Sequence, residues 1–183
     1  MQDGAASLLR RHLALSADEK KAPDVSSARI RIDKRTVDDV PLTETVAHLN
    51  PRAAKEGLAD KLDQIPLGPW AINGSRWFSS ETDSEMTIML ARTPAGVPST
   101  FLAPMRKHDS SASTATGEPD PDGHILNGIR IQRLKSKFGT QALPTAELVL
   151  ENTRGWLIGQ ERQGIEEISS ILTLTRIYST VAA

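Results

Sequence analysis

Trp70-Ala71-Ile72-Asn73-Gly74-Ser75-Arg76-Trp77-Phe78 is the stretch whose reading decides the fold class. Apolar residues lead up to Asn73-Gly74 and resume beyond it, and an Asn-Gly pair tolerates the positive φ that a type I′ turn needs at both central positions. The stretch therefore predicts a β-hairpin. Downstream, Met86-Thr87-Ile88-Met89-Leu90-Ala91 is apolar enough for a strand covered on both faces, with Phe101-Leu102-Ala103 as its neighbour. Pro94, Gly96 and Pro98 between the two read as a turn.

Farther along, Lys107 to Gly123 is a Ser, Thr, Pro, Asp and Gly stretch with almost nothing to bury, which predicts an exposed loop. A second Asn-Gly pair, Asn127-Gly128, predicts a turn, after which Ile129 and Ile131 alternate with Arg130 and Gln132. Ala146, Leu148 and Leu150 alternate with Glu147, Val149 and Glu151, placing one apolar face inward on the last strand. The centre of the chain thus reads as antiparallel β with hairpin connections, a small barrel or sandwich.

The ends have a different period. Ala5, Leu8, Leu9, His12 and Leu13 predict an amphipathic helix, Ser16 and Glu19 have capping-box spacing, and residues 20–39 read as a charged linker. Within that linker Arg29-Ile30-Arg31-Ile32-Asp33 alternates, as an edge strand or as nothing regular. After Gly159, Ile165, Ile168, Ile171, Leu172, Leu174 and Val181 recur at helical spacing. Glu166 and Glu167 fall in the first turn, where carboxylates suit the positive end of the helix dipole. The apolar stripes at both ends predict a chain prone to association.

Composition narrows the chemistry. The 183 residues carry 22 basic and 23 acidic side chains, a formal net charge of −1. That balance gives no global attraction to nucleic acid or an anionic bilayer. The absence of cysteine removes thiol catalysis, thiolate metal sites and disulfides. No apolar run approaches the roughly 20 residues that span a bilayer. Arg10 and Arg11 near the start are offset by Asp3, Asp18 and Glu19, so no targeting segment is read and an intracellular protein is expected. No Gly-x-Ser-x-Gly, His-Glu-x-x-His, P-loop or dinucleotide motif is present. His12, His48, His108 and His124 are far apart in sequence and predict no metal site.

A resemblance supplies what motifs do not. Ile72-Asn73-Gly74-Ser75-Arg76-Trp77-Phe78-Ser79-Ser80, with the run to Leu90-Ala91-Arg92, resembles the middle domain of acyl-CoA dehydrogenases. Asn127 to Thr140, Pro144-Thr145-Ala146-Glu147-Leu148 and Gly155-Trp156-Leu157-Ile158-Gly159 resemble the close of that domain, and Leu174-Thr175-Arg176 the start of the C-terminal helical domain. The likeness covers about Thr43 to Ala183 and is nearest the alkylation-response branch. It implies a mainly β fold with flanking α, a middle-domain β-barrel between helical stubs. The implied divisions are 1–35 as helical remnant and linker, 36–159 as barrel, and 160–183 as the first helix of a C-terminal domain that is cut short.

The resemblance also implies FAD as cofactor and oxidation of an acyl-CoA thioester at its CH–CH bond. Trp77 falls at the family position that packs on the flavin ring, Ser79 at the hydroxyl near the ring nitrogen that accepts hydride, and Arg176 near substrate. Two departures stand out. Where the family turn that holds the flavin pyrophosphate has glycine and serine, this chain has Val37 and Asp38, and a carboxylate repels a diphosphate. The family's catalytic carboxylate has no counterpart here, since Thr175 cannot serve and Glu166 and Glu167 lie earlier in the helix. The chain alone is therefore expected to lack a complete catalytic cycle. The alternatives are a non-catalytic degenerate homologue and a DNA-associated alkylation-response-like protein. For the latter, Arg130, Arg133, Lys135 and Lys137 form a modest basic run that reads rather as a solvated strand face. The family assembles as homo-oligomers.

Overall fold

Alternating apolar residues along the second half of the chain dictate sheets, and the computed structural model shows how they close. It describes residues 32–33, 44–53, 57–60, 65–120, 123–138 and 144–181. The strands in chain order are β1 (Ile32–Asp33), β2 (Val46–Leu49), β3 (Leu58–Asp60), β4 (Ile65–Pro66), β5 (Trp70–Ser80) and β6 (Met86–Arg92). They continue with β7 (Pro98–Pro104), β8 (Arg106–His108), β9 (His124–Leu126), β10 (Ile129–Leu134) and β11 (Thr145–Ile158), and helix α1 (Gly164–Val181) follows. The predicted N-terminal helix, the capping turn and the stretch holding Val37 and Asp38 lie outside the described residues.

Strands β2, β5, β11, β7 and β6 form a closed ring in that order. Four of the five contacts are antiparallel ladders. The fifth, between β2 and β6, is a narrow parallel seam at Val46 and Arg92, reinforced by Arg92 N donating to Thr45 O at 2.9 Å. Closure removes the exposed edges that an open sheet would leave. β1 adds to β6 in parallel, so the alternation ending at Asp33 does end in a strand, and β10 adds to β11.

The barrel is filled by residues of one parity from each strand. Met89 and Ala91 of β6, Phe101 and Ala103 of β7, Ile72 of β5 and Ala146, Leu148 and Leu150 of β11 form one buried cluster. Trp70 meets Phe101 edge-to-face with ring centroids 5.3 Å apart, a favoured aromatic geometry. Residues of the other parity, Ile88, Leu90 and Leu102, are equally buried. Outside the ring α1 packs on β7, with Ile168 and Ile171 fully buried. Thr100 Oγ1 donates to Gly164 O at 2.9 Å and fixes the start of the helix against that strand. Ile165 and Ile177 face outward instead and keep part of the predicted apolar stripe exposed.

Two sequence expectations need correction. Asn73-Gly74 is not a hairpin turn but the middle of β5, an uninterrupted strand. Gly74 has φ 144, and a Cβ there would stand 2.7 Å from Thr45 Cα, so the glycine admits the chain leading into β2. Asn73 Oδ1 accepts from Asn152 N at 2.8 Å. That bond caps a bulge in β11, where Glu151 and Asn152 together oppose Asn73. Pro98, read as part of a turn, opens β7 as its first residue, a position where proline costs no ladder bond.

Other expectations hold. β6 and β7 pair along their whole length and are buried on both faces. Asn127-Gly128 does turn the chain, from β9, paired with β8, into β10, paired with β11. Of the loop predicted from Lys107 to Gly123, residues 109–120 form an exposed loop, whereas Lys107 and His108 belong to β8 and Gly123 is buried.

Candidate functional site

Trp77 and Phe78 are adjacent in sequence yet both point outward, because β5 bulges there. Ala146 and Leu148 of β11 pair with Ser79 and Arg76, so two residues of β5 oppose the single Glu147. A bulge re-aims side chains without breaking the sheet. Trp77 is 59% exposed, while Arg76 and Ser79 on either side turn inward and are buried. Arg76 anchors its flank by donating through Nη2 to Leu90 O of β6.

Three adjacent strands, β5, β11 and β10, support the Trp77 ring. Arg133 of β10 pairs directly with Glu147 of β11. Arg133 Nε donates to Glu147 Oε1 at 3.1 Å, and Lys135 Nζ approaches the same oxygen at 2.5 Å. Hydrogen bonds from Lys135 and Arg133 hold the Glu147 carboxyl below the usual carboxylate range. Lys135 Nζ also lies 3.5 Å from the centroid of Trp77 and 4.7 Å from that of Phe78, within cation–π range. The surface is thus an open indole backed by a shared ion-pair cluster.

The expected site residues are only partly brought together. Trp77 presents a ring face to solvent, as a planar ligand requires. Ser79 is on the same strand but its side chain is 1% exposed, so its hydroxyl does not share the open face of the indole. Arg176 is an exposed residue of α1, the helix that packs on β7 rather than β5. Trp77 is therefore open on the surface, whereas Ser79 is covered.

The basic run reads differently in three dimensions. Arg130 pairs with Glu151 at 3.1 Å, and Arg133 and Lys135 share Glu147. Each of these three cations thus has a carboxylate partner on β11, with Arg130 and Arg133 still exposed. Sequence reasoning singled out those cations and missed their partner. Glu147 falls between two inward apolar residues of an alternating strand, the one available signal that it faces the opposite side. His108 and His124, distant in sequence, are cross-strand neighbours on β8 and β9 with ring centroids 6.4 Å apart. Among the described residues no group of three or more His, Asp or Glu side chains is placed to hold a metal ion. No helix there is long and apolar enough to cross a membrane.

Acyl-CoA dehydrogenase family member 11 of Caenorhabditis elegans is 34% identical over 130 residues, 66% of this chain and 19% of that protein. AidB of Escherichia coli (strain K12), an acyl-CoA dehydrogenase by name, is 30% identical over 116 residues, 63% of this chain and 19% of its own length. The crystal structure of Caenorhabditis elegans ACDH-11 in complex with C11-CoA superposes with a TM-score of 0.66 at 26% identity, covering 98% of this chain and 29% of that one. Over the part that it spans, the chain is similar to acyl-CoA dehydrogenases. Its closed barrel matches the acyl-CoA dehydrogenase-like middle domain. It spans about a fifth of the length of the curated acyl-CoA dehydrogenase relatives it matches. No protein-family model matches it.

Proposed function

We propose that this chain supplies the flavin-facing β-barrel of an FAD-dependent, acyl-CoA dehydrogenase-like oxidoreductase. The observation that carries the reading is the bulge of β5, which turns Trp77 outward on a rigid, hydrogen-bonded frame at the position where the family packs its flavin. An indole 59% exposed in a protein with only 4% aromatic residues is unused contact area, and planar rings stack on such a face. In this reading residues 36–159 form the barrel, 1–35 and 160–183 are parts of flanking helical domains, and Arg176 lies toward substrate.

Bound FAD would accept a hydride from the β-carbon of an acyl-CoA thioester. A carboxylate must take the α-proton at the same time, and no residue of this chain is assigned to that role. The acyl-CoA class is supported by the C11-CoA held in the Caenorhabditis elegans relative. Ser79 is assigned the hydrogen bond to the flavin, which requires the β5 bulge to rearrange so that its inward hydroxyl reaches the face of Trp77.

The test is reconstitution with FAD followed by gel filtration. Retention of a visible flavin band near one per chain is expected, and a colourless protein overturns the proposal. A second reading, a non-catalytic homologue, is favoured by the covered Ser79 hydroxyl. It predicts bound flavin that does not bleach on anaerobic addition of an acyl-CoA, whereas the oxidoreductase predicts bleaching once a carboxylate is supplied.

A further inference from the structure

The open face of Trp77 has its chemistry set from behind. The Lys135 side chain is only 11% exposed, so its ammonium lies on the covered side of the indole, between the ring and Glu147. The guanidinium carbon of Arg133 stands 5.9 Å from the same ring centroid. Two cations share one carboxylate oxygen, so these three groups together carry one net positive charge beneath the ring. A cation on one face of an indole draws the ring's negative face toward itself and leaves the other face less electron-rich. On the covered side, where Lys135 is 11% exposed, screening is weaker than in open water.

We propose that Lys135 is a positioning residue that makes the exposed face of Trp77 selective for a planar ring bearing negative charge. On the flavin reading above, on which this inference rests, the favoured ligand is the anionic reduced form of the flavin over the neutral oxidised form. The same face disfavours planar cations. Lys135 thereby tunes a bound flavin toward reduction without touching it.

Anaerobic equilibrium dialysis of the purified chain against oxidised and dithionite-reduced FAD tests this directly, in the unaltered protein and in Lys135→Met, Lys135→Arg and Glu147→Gln. The unaltered chain is expected to bind reduced FAD about tenfold more tightly than oxidised, a midpoint potential about 30 mV higher for a two-electron couple. Lys135→Met should lose most of that ratio and Lys135→Arg keep it, a rescue that a merely structural role for the side chain would not predict. Glu147→Gln removes the counter-charge and should raise the ratio, so it carries the test if Lys135→Met does not fold. An unchanged ratio in the variants, with flavin still bound, overturns the role of Lys135 and leaves the flavin reading standing. No binding of either form by the unaltered chain overturns both.

Discussion

Asn127 holds the corner where the chain leaves β9 for β10, and removing its side chain tests the barrel's construction. The residue is 1% exposed. Its Nδ2 donates to Pro104 O at 2.8 Å and to Arg154 O at 2.9 Å, and its Oδ1 accepts from Arg154 N at 3.3 Å. One amide thus ties the end of β7 to the middle of β11. Each such bond contributes on the order of 1 kcal/mol net, and the backbone groups stripped of a partner stay buried. Asn127→Ala is therefore expected to cost about 3 kcal/mol, a large share of the roughly 5–15 kcal/mol that stabilises a domain. At about 2–4 °C per kcal/mol for a chain of this size, the Tm falls by about 6–12 °C.

Asn127→Asp separates hydrogen bonding from shape. It keeps the acceptor for Arg154 N but sets a carboxylate oxygen against two carbonyl oxygens, which raises the folded-state pKa of the new acid. A raised pKa means the penalty is absent below about pH 4 and grows as pH rises through the folded value. Urea denaturation followed by far-ultraviolet circular dichroism, run at pH 3.5 and pH 7, reads both effects. A loss below about 0.5 kcal/mol for Asn127→Ala, or an Asn127→Asp penalty that does not grow with pH, refutes the assignment.

Phe101→Ala removes the ring that fills the barrel against Trp70 and is expected to cost about 3–5 kcal/mol by chemical denaturation; a cost under 1 kcal/mol would mean the barrel interior is not packed as described. Glu147 has its pKa lowered by hydrogen bonds from Lys135 and Arg133, so its contribution to stability is full above the ordinary carboxylate range and is lost as pH falls through the lowered folded value. Glu147→Gln should accordingly flatten the acid limb of the stability–pH curve, and an unchanged limb would show that the carboxylate is not held by those cations.

Much of the fold was legible because burial on both faces leaves an unmistakable pattern. Met86 to Ala91 and Phe101 to Ala103 announce two central strands, and the helical period after Gly159 announces α1. What escaped depended on partners distant in sequence. Asn73-Gly74 has the local chemistry of a turn, but Thr45 crowding Gly74 and the Asn152 amide bonded to Asn73 make it the interior of a strand. β3 and β4 are too short to carry a period.

The site was legible in part for the same reason. Trp77 was found through resemblance, while its outward aim comes from a bulge that exists only against Glu147 of β11. Alternation alone would set Trp77 and Ser79 on one face; the extra residue puts one outside and the other inside. The ion-pair cluster was half visible, its cations in one run and its carboxylate 12 residues beyond Lys135.

The central claim, that Trp77 is the contact face for a flavin, is tested most directly by the FAD affinity of the unaltered chain against Trp77→Ala, measured by equilibrium dialysis with circular dichroism confirming an intact fold. The bulge and the exposed ring predict measurable binding in the unaltered chain and at least a tenfold loss in Trp77→Ala. Equal affinities in the two folded proteins would contradict it.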